Sequence, residues 1–329
     1  MLAHKPVKVC LIGGSGRSGT TIVSKMFAKH PDLTDVPEWR FLIDPDGIID
    51  FLNNSDFWSP YHYDVYIKRL NALLLKTAKS SWYDKLLRYI DEQIFIKTHF
   101  KFKVTAAYSG VSVSKISPQF LFHVENLITQ LNQFQYKARW IGLERGGTQG
   151  MYYHSHFNRD KLIKILRVFL LQVMQDVNAR QNKLYYLEKN TWNILWFDKI
   201  LEILPEARML YIYRDPRDVV ASFINQTWMP STAEKCALIY RDLFLKWKQI
   251  KLNIPSNSFF ECSLENLVEN TELTTREICN FWGIKYHSQL INIDLSHSHS
   301  GRWRNDFSQE DLVKVEAILE EPLIELNYK

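Results

Sequence analysis

Residues 7–27 read VKVCLIGGSGRSGTTIVSKMF, in which an apolar run, a glycine-rich turn and an amphipathic segment follow one another without a gap. The run at 7–13 is apolar and β-branched, which predicts a strand buried on both faces, as in a parallel sheet. From Thr20 onward, apolar residues recur at helical spacing. Strand, glycine loop and helix in this order predict one βα unit, and that unit constrains the chain to the α/β class.

Strands and helices alternate again in the C-terminal half of the chain. Strands are predicted over 183–189, 207–214 and 258–262, and helices over 193–201 and 215–224. Such alternation predicts a parallel sheet with both faces covered. The sequence therefore predicts an α/β fold in which a central parallel sheet is flanked by helices.

The hydrophobic pattern is looser between about 51 and 182, although residues 160–178 have a clear helical periodicity. We interpret 51–182 as a helical insertion into a single P-loop-like domain that spans residues 1–329. The insertion either shapes a substrate pocket or serves as a structural cap, and the pattern favours neither role.

Composition and charge narrow the classes of function. Of the 329 residues, 46% are apolar, and the formal net charge is +5. This small positive excess suits an anionic small ligand and predicts no nucleic-acid partner. No apolar run approaches the roughly 20 residues that span a bilayer, and the first strand begins too early to leave room for a signal peptide. The four cysteines lack C-x-x-C spacing, which predicts reduced, buried thiols and a cytoplasmic protein.

The glycine turn has the spacing of a phosphate-binding loop but lacks its lysine. Four residues separate Gly14 from Gly19, as in G-x-x-x-x-G-K-[ST], yet Thr20 occupies the lysine position and Thr21 follows. Loop N–H groups and the start of the following helix still form an anion cradle. Arg17 supplies a positive charge inside the loop. This combination indicates an anion other than magnesium-bound ATP, which normally requires the lysine.

A second stretch, YIYRDPRDVVAS, offers another anion site. It places Arg214 at the end of a predicted strand and Ser222 eight residues later on a predicted helix. Asp215 is a suitable N-cap for that helix, and Pro216 suits its first position. Arg214 and Ser222 together can bind a phosphate. The alternative is a merely structural capped helix with a surface pair between Asp215 and Arg217.

Together the two stretches resemble the sulfotransferases that use 3′-phosphoadenosine 5′-phosphosulfate (PAPS). GRSGTT resembles the 5′-phosphosulfate loop of that family, here 13–21, and RDPRDVVAS resembles its 3′-phosphate motif, here 211–223, with the same spacing of eight. SGRWRNDFS at 300–308 is similar to the C-terminal Gly-x-Trp-basic-Asn segment. LEKNTWN at 187–193 is similar to the Glu-Lys-Thr-Pro-x-Asn stretch of carbohydrate and bacterial members.

The resemblance implies catalytic roles for three residues. PEWRF at 37–41 contains an E-x-R that is similar to the tyrosylprotein sulfotransferases, which makes Glu38 the base and places Arg40 on the acceptor side. Lys189 matches the catalytic lysine of those enzymes, and Arg17 matches their loop arginine. These two cations would act on the bridging oxygen and the sulfuryl group.

The resemblance also implies a set of nucleotide-binding residues. In cytosolic members an Arg-Lys-Gly precedes the Gly-x-Trp segment, and Ser296-His297-Ser298 replaces it here. The 3′-phosphate would then be bound by Arg302 or Arg304 instead. The donor is then PAPS, the product is adenosine 3′,5′-bisphosphate, and no metal is required. The full set is Gly16, Arg17, Ser18, Gly19, Thr20, Thr21, Arg214, Ser222, Arg302, Trp303 and Arg304.

A rival base is His99, in the triplet of IKTH at 96–99 that resembles the Lys-Thr-His of cytosolic sulfotransferases. In those enzymes the triplet directly precedes the 3′-phosphate strand. Lys189-Asn190-Thr191 occupies that position here, with Thr191 in place of the histidine, and His99 lies far upstream. His99 is kept as the rival base or as an acceptor-side residue. The acceptor would be a hydroxyl of a peptide tyrosine, a phenol or a glycan, and the protein would be a monomer or a homodimer.

Two other classes of function stay open. A P-loop kinase acting on small molecules or nucleotides would use ATP, but it would carry a lysine in place of Thr20. A non-catalytic nucleotide-binding module would tolerate the loss of Glu38 and Lys189, and both are present. Each His-x-His pair supplies only two ligands, which predicts solvated loops rather than a metal site: His154 with His156, and His297 with His299.

Overall fold

The structure, a computed structural model, describes residues 7–79, 82–98, 112–138, 150–294 and 300–329. The chain divides into two compact units. The first consists mainly of residues within Trp39–Lys183, and the second of Lys8–Glu38, Leu184–Leu201 and Pro205–Lys329. The predicted insertion at about 51–182 falls within the first unit.

The described residues form two sheets. Their strands are β1 (Val9–Gly14), β2 (Phe134–Tyr136), β3 (Met151–Tyr153), β4 (Tyr186–Lys189), β5 (Arg208–Tyr213) and β6 (Phe259–Ser263). In the second unit, β4, β1, β5 and β6 lie side by side in this order, and every neighbouring pair is parallel. The first unit contains the antiparallel pair of β2 and β3.

The helices of the described residues are mostly short. They are α1 (Thr20–Phe27), α2 (Ile48–Asn54), α3 (Pro60–Ala78), α4 (Trp82–Thr98), α5 (Phe120–Gln130), α6 (Arg159–Gln181), α7 (Phe197–Ile203), α8 (Pro216–Phe223), α9 (Ala233–Lys251), α10 (Leu264–Glu269), α11 (Thr271–Trp282), α12 (Trp303–Asp306), α13 (Gln309–Ile318) and α14 (Glu320–Glu325). Short stretches of 3₁₀ helix among the described residues are at Val113–Lys115, Thr191–Trp196, Ser256–Ser258 and Ser288–Ile291.

The parallel sheet is covered on both faces. On one face, Ile12 and Leu210 belong to a buried cluster that includes Phe27 of α1 and Trp282 of α11. On the other face, Trp247 of α9 packs its ring against Tyr211 (5.2 Å between centroids) and against Phe259 (5.6 Å). All six residues of β1 are buried, as expected for a strand between two parallel neighbours. The predicted α/β class, with a central parallel sheet flanked by helices, is confirmed.

The first unit is helical and contains the small antiparallel sheet. The ring of Phe41 packs against Phe120 of α5 and Phe169 of α6, at centroid distances of 5.6 and 6.3 Å. Asp64 of α3 accepts a 2.8 Å hydrogen bond from the backbone N–H of Tyr152, which joins β3 to α3. The aromatic cluster and this buried carboxylate give the first unit a core of its own.

The helix predicted over 193–201 begins differently in the structure. The chain forms the 3₁₀ turn Thr191–Trp196 directly after β4, and α7 starts only at Phe197. The reason is local, because the Asn190 side chain accepts from Trp192 N (3.2 Å) and the Asn190 carbonyl accepts from Asn193 N (3.1 Å). The short i to i+3 bond favours 3₁₀ geometry at this helix start.

No helix among the described residues is both long and apolar enough to cross a membrane.

The four cysteines are buried, and none forms a disulfide. Burial raises the pKa of the Cys262 thiol to about 12 and the pKa values of Cys236 and Cys279 to about 11. Because the thiolate is the nucleophile, we expect the native protein to resist iodoacetamide at pH 8 and the urea-unfolded chain to be labelled at all four cysteines. Mass spectrometry of the two samples checks this, and fast labelling of native Cys262 would contradict it.

Candidate active site

The phosphate loop leaves β1 at the carboxyl edge of the parallel sheet. Three of its residues have positive φ: Gly16 (84°), Arg17 (55°) and Gly19 (98°). A side chain at Gly19 would also collide with Leu264, whose Cδ1 lies 2.8 Å from the Cβ position. Glycine is therefore required at position 19 by both backbone conformation and space.

The loop and the start of α1 have the features of an anion cradle, without a lysine. The first N–H groups of a helix have no intrahelical acceptor, and no side chain caps α1. Thr20 is buried and Thr21 is exposed at this helix start. Ser18 is fully buried, and its Oγ has no hydrogen-bond partner among the described residues. A polar hydrogen-bonding group of this kind fits an anion held by the loop.

The loop arginine and the second anion motif are in direct contact. Arg17 Nε donates to Ser222 Oγ at 2.9 Å, although 205 residues separate them in the sequence. Arg214 follows the last residue of β5 and is 5% exposed, and its Nη1 donates weakly to the carbonyl of Arg17 at 3.4 Å. The structure thus brings Arg17, Arg214 and Ser222 to one place.

The helix that carries Ser222 begins as predicted. Asp215 caps α8 by accepting from Arg217 N at 2.9 Å, and Pro216 is its first residue. Arg217 also pairs with Asp215 through its guanidinium at 2.8 Å and with Glu316 at 2.7 Å. The pair between Asp215 and Arg217 is largely buried, not a surface pair, since the two side chains are 11% and 12% exposed.

Asp218, which was not predicted from the sequence as a site residue, is fully buried on α8. Its Oδ2 lies 3.0 Å from Arg214 Nη2 and accepts from Gly301 N at 2.7 Å, while its Oδ1 accepts from Trp303 N at 3.1 Å. One carboxylate thus joins the phosphate arginine to the C-terminal segment. The available signal was an acidic residue in the first turn of the helix that follows Arg214.

We expect the substitution Asp218→Ala to lower the free energy of unfolding by about 3–5 kcal/mol, because it leaves the buried Arg214 charge without its carboxylate. Urea unfolding of the wild type and the variant measures this difference. The matched control is Asp306→Ala, since Asp306 forms a part-exposed pair with Arg302 at 2.6 Å. That control should change stability by less than about 1 kcal/mol. Equal effects of the two substitutions would contradict the role assigned to Asp218.

Within the C-terminal segment, Trp303 is packed between two guanidinium groups. Arg217 Cζ lies 4.1 Å and Arg304 Cζ 4.4 Å from its ring centroid, and the tryptophan is 9% exposed. Arg302 pairs with Asp306 one helical turn later. Of the three residues predicted here to bind nucleotide, Arg304 is exposed, whereas Trp303 stacks within the protein.

Glu38 and Lys189 form an ion pair at the edge of the same sheet. Two parallel β-bridges join the chain before Glu38 to the β4 segment. One pairs Leu33 with Tyr185, and the other pairs Val36 with Glu188. This pairing carries Glu38 to the carboxyl end of β4, where Lys189 is the last residue. Lys189 is in turn the register partner of Ile12 on β1, two residues before Gly14. The predicted base and the predicted lysine therefore lie together beside the strand that leads into the phosphate loop.

Two predicted acceptor-side residues are not placed at this edge by the described contacts. Arg40 belongs to the first unit, where its Nε bonds Asp44 at 2.8 Å. His99 lies outside the described residues, as do Ser296-His297-Ser298 and the pair His297 and His299.

One group among the described residues has the composition of a metal site: His30, Asp32 and His287. The His30 ring is already engaged, because Nδ1 accepts from Asp32 N at 3.0 Å and Nε2 faces the carbonyl of Lys285 at 2.8 Å. The group also adjoins the amino end of β4, since the Asp32 carbonyl accepts from Tyr185 N at 2.9 Å. It thus lies at the opposite end of β4 from Lys189.

Comparison with known proteins assigns the chain to a family. The model of the sulfotransferase family matches residues 114–288, which is more than half of the 329 residues. The matched range includes Lys189, Arg214 and Ser222 but not the phosphate loop. The chain belongs to the sulfotransferase family. No curated protein matches it in sequence.

Three solved structures are similar over nearly the whole chain. The sulfotransferase domain of the curacin biosynthetic pathway covers 97% of this chain and 98% of its own length, with a TM-score of 0.50 and 11% identity. The sulfotransferase domain of the Synechococcus PCC 7002 olefin synthase covers 96% of each chain, with a TM-score of 0.48 and 13% identity. A sulfotransferase from Mycobacterium tuberculosis H37Rv covers 96% of this chain and 76% of its own, with a TM-score of 0.46 and 11% identity. At 11% identity, the likeness to the curacin domain concerns the fold alone.

Proposed function

We propose that the protein transfers the sulfuryl group of PAPS to a hydroxyl of an acceptor, with adenosine 3′,5′-bisphosphate as the second product. The observation that carries this proposal is that three groups meet at one sheet edge. They are the phosphate loop with the uncapped start of α1, the cluster of Arg17, Arg214 and Ser222, and the ion pair of Glu38 and Lys189. Membership of the sulfotransferase family supports the reaction class.

The residues present fit a nucleotide with anionic groups at both its 5′ and its 3′ position. The loop N–H groups, Ser18 and the threonines at the start of α1 would hold its 5′ end. Arg214 and Ser222 would hold its 3′-phosphate through charge-assisted hydrogen bonds. Thr20 occupies the position of the lysine that a magnesium–ATP site uses, so the loop favours a donor without a γ-phosphate.

The pair of Glu38 and Lys189 would carry the chemistry. Glu38 would accept the proton of the acceptor hydroxyl as the new oxygen–sulfur bond forms. Lys189 and Arg17 would stabilise the negative charge that develops on the bridging oxygen, which stays on the 5′-phosphate when its bond to sulfur breaks. In the structure Glu38 contacts Lys189 directly, so the carboxylate is held in place before the acceptor arrives.

Calorimetry with adenosine 3′,5′-bisphosphate tests the donor side. We expect the bisphosphate to bind equally well with EDTA and with magnesium, and more tightly than ATP with magnesium. Binding of ATP that requires magnesium, without binding of the bisphosphate, would instead favour the kinase alternative. Incubation with ³⁵S-labelled PAPS and a panel of phenols, tyrosine peptides and glycans then tests transfer itself.

A further inference from the structure

An exposed tryptophan stands directly over the phosphate loop. A Cβ atom at Gly16 would lie 3.4 Å from both Trp228 Cη2 and Phe223 Cε1. Trp228 is 51% exposed, whereas Phe223 is fully buried beneath it. Half of a large indole is therefore presented to solvent at the loop that carries Arg17.

Trp192 and Phe223 hold the Trp228 ring in position, and we call these three residues the aromatic corner. The Trp192 ring meets Trp228 edge-on, at 6.1 Å between centroids and 90° between planes. The Phe223 ring packs against it at 5.6 Å and 68°. The backbone of Trp192 is itself anchored, since its backbone N–H donates to the side chain of Asn190 and Asn190 N donates to the carbonyl of Ile12 on β1.

The aromatic corner borders the side of the site that holds the base. Trp192 follows Lys189 by three residues, and Lys189 pairs with Glu38. An acceptor hydroxyl has to reach that carboxylate, so the molecule bearing it has to approach along this side. The exposed indole face is then available to the body of the acceptor.

The surroundings of Trp228 favour a flat apolar ring over a sugar. A glycan site needs several side-chain donors and acceptors around an aromatic platform. The rings packed against Trp228 are those of Trp192 and Phe223, which offer apolar surface. The side-chain amides of Asn225 and Gln226 each have one N–H bonded to a carbonyl of α8, to Ala221 (3.2 Å) and to Ser222 (3.1 Å) respectively.

We infer that Trp228, supported by the rest of the aromatic corner, forms an acceptor subsite for a planar aromatic ring that carries the hydroxyl. The acceptor class is then a phenol or a related aryl alcohol. This inference rests on the proposed function and specifies its substrate class.

The test compares two ligands of the same carbon skeleton, 2-naphthol and decahydro-2-naphthol, by calorimetry on the full chain saturated with adenosine 3′,5′-bisphosphate. We expect 2-naphthol to bind more tightly than its saturated counterpart, and Trp228→Ala to weaken 2-naphthol binding about tenfold. Trp228→Phe should retain most of the affinity because it keeps an aromatic face. Trp196→Ala is the control, since Trp196 is also exposed (39%), and it should leave binding unchanged.

Several results would overturn the inference. Equal affinity for the two ligands, or for wild type and Trp228→Ala, would show that no aromatic stacking occurs. Loss of bisphosphate affinity in Trp228→Ala with 2-naphthol binding unchanged would assign the ring to the adenine of the donor instead. Failure of wild type to bind 2-naphthol while it binds the bisphosphate would overturn this inference alone. Failure to bind the bisphosphate at all would contradict the proposed function, and the inference with it.

Discussion

Replacing Glu38 with glutamine should lower the rate of sulfuryl transfer by roughly 10²–10⁴-fold while leaving bisphosphate affinity nearly unchanged. The amide has the same shape and can still accept a hydrogen bond from Lys189, the partner of Glu38. It cannot accept the proton of the acceptor. The loss should therefore appear in turnover, measured with labelled PAPS and an acceptor that the wild type sulfates.

Two further variants make this measurement specific. Glu202 forms a comparable part-buried ion pair with Arg159 at 2.7 Å within the first unit, so Glu202→Gln should leave turnover unchanged. His99→Ala addresses the rival base. Full activity of Glu38→Gln together with loss of activity in His99→Ala would show that the base was assigned to the wrong residue.

Replacing Arg214 with alanine should weaken the binding of adenosine 3′,5′-bisphosphate by roughly 30- to 150-fold, which corresponds to about 2–3 kcal/mol. Arg214 is 5% exposed, and its guanidinium contacts the carbonyl of Arg17 and the carboxylate of Asp218. A charge-assisted hydrogen bond to phosphate is strong in such surroundings because little water competes for it. Calorimetry measures the change.

The control for Arg214 lies on the same strand. Arg208 is the first residue of β5, at the opposite end, and its guanidinium bonds the carbonyl of Asn257, so Arg208→Ala should leave nucleotide affinity unchanged. Arg214→Ala also removes the cationic partner of the buried Asp218 carboxylate. The stability of this variant therefore has to be measured in parallel. Arg214→Lys retains the charge, and it should fold stably and bind the bisphosphate with intermediate affinity. If both variants fold and bind the bisphosphate as tightly as the wild type does, Arg214 does not hold the 3′-phosphate.

The parallel sheet could be predicted from the sequence because its signal is local. Each buried strand is a short apolar run, and the glycines and the capped helix that follow β1 and β5 are visible within a few residues. The same local signals predicted a phosphate loop at 13–21 and an anion site at Arg214 and Ser222. The start of the helix after β4 was predicted wrongly, because a side chain of Asn190 and not hydrophobic spacing decides it.

Other parts of the site depend on contacts between distant residues. Asp218 was missed since its partners Gly301 and Trp303 lie more than 80 residues away, and only the fold brings them together. The meeting of Glu38 and Lys189 was expected from a family resemblance alone. Its physical cause, two parallel bridges between the chain before Glu38 and β4, leaves no periodic pattern in the sequence.

A crystal structure with bound adenosine 3′,5′-bisphosphate tests the central claim most directly. It should show the 5′-phosphate on the N–H groups of residues 18–21 and the 3′-phosphate on Arg214 and Ser222, with Glu38 and Lys189 facing the 5′ end. Bisphosphate bound elsewhere on the chain, or bound here with Ser222 and the phosphate loop turned away from it, would contradict the account.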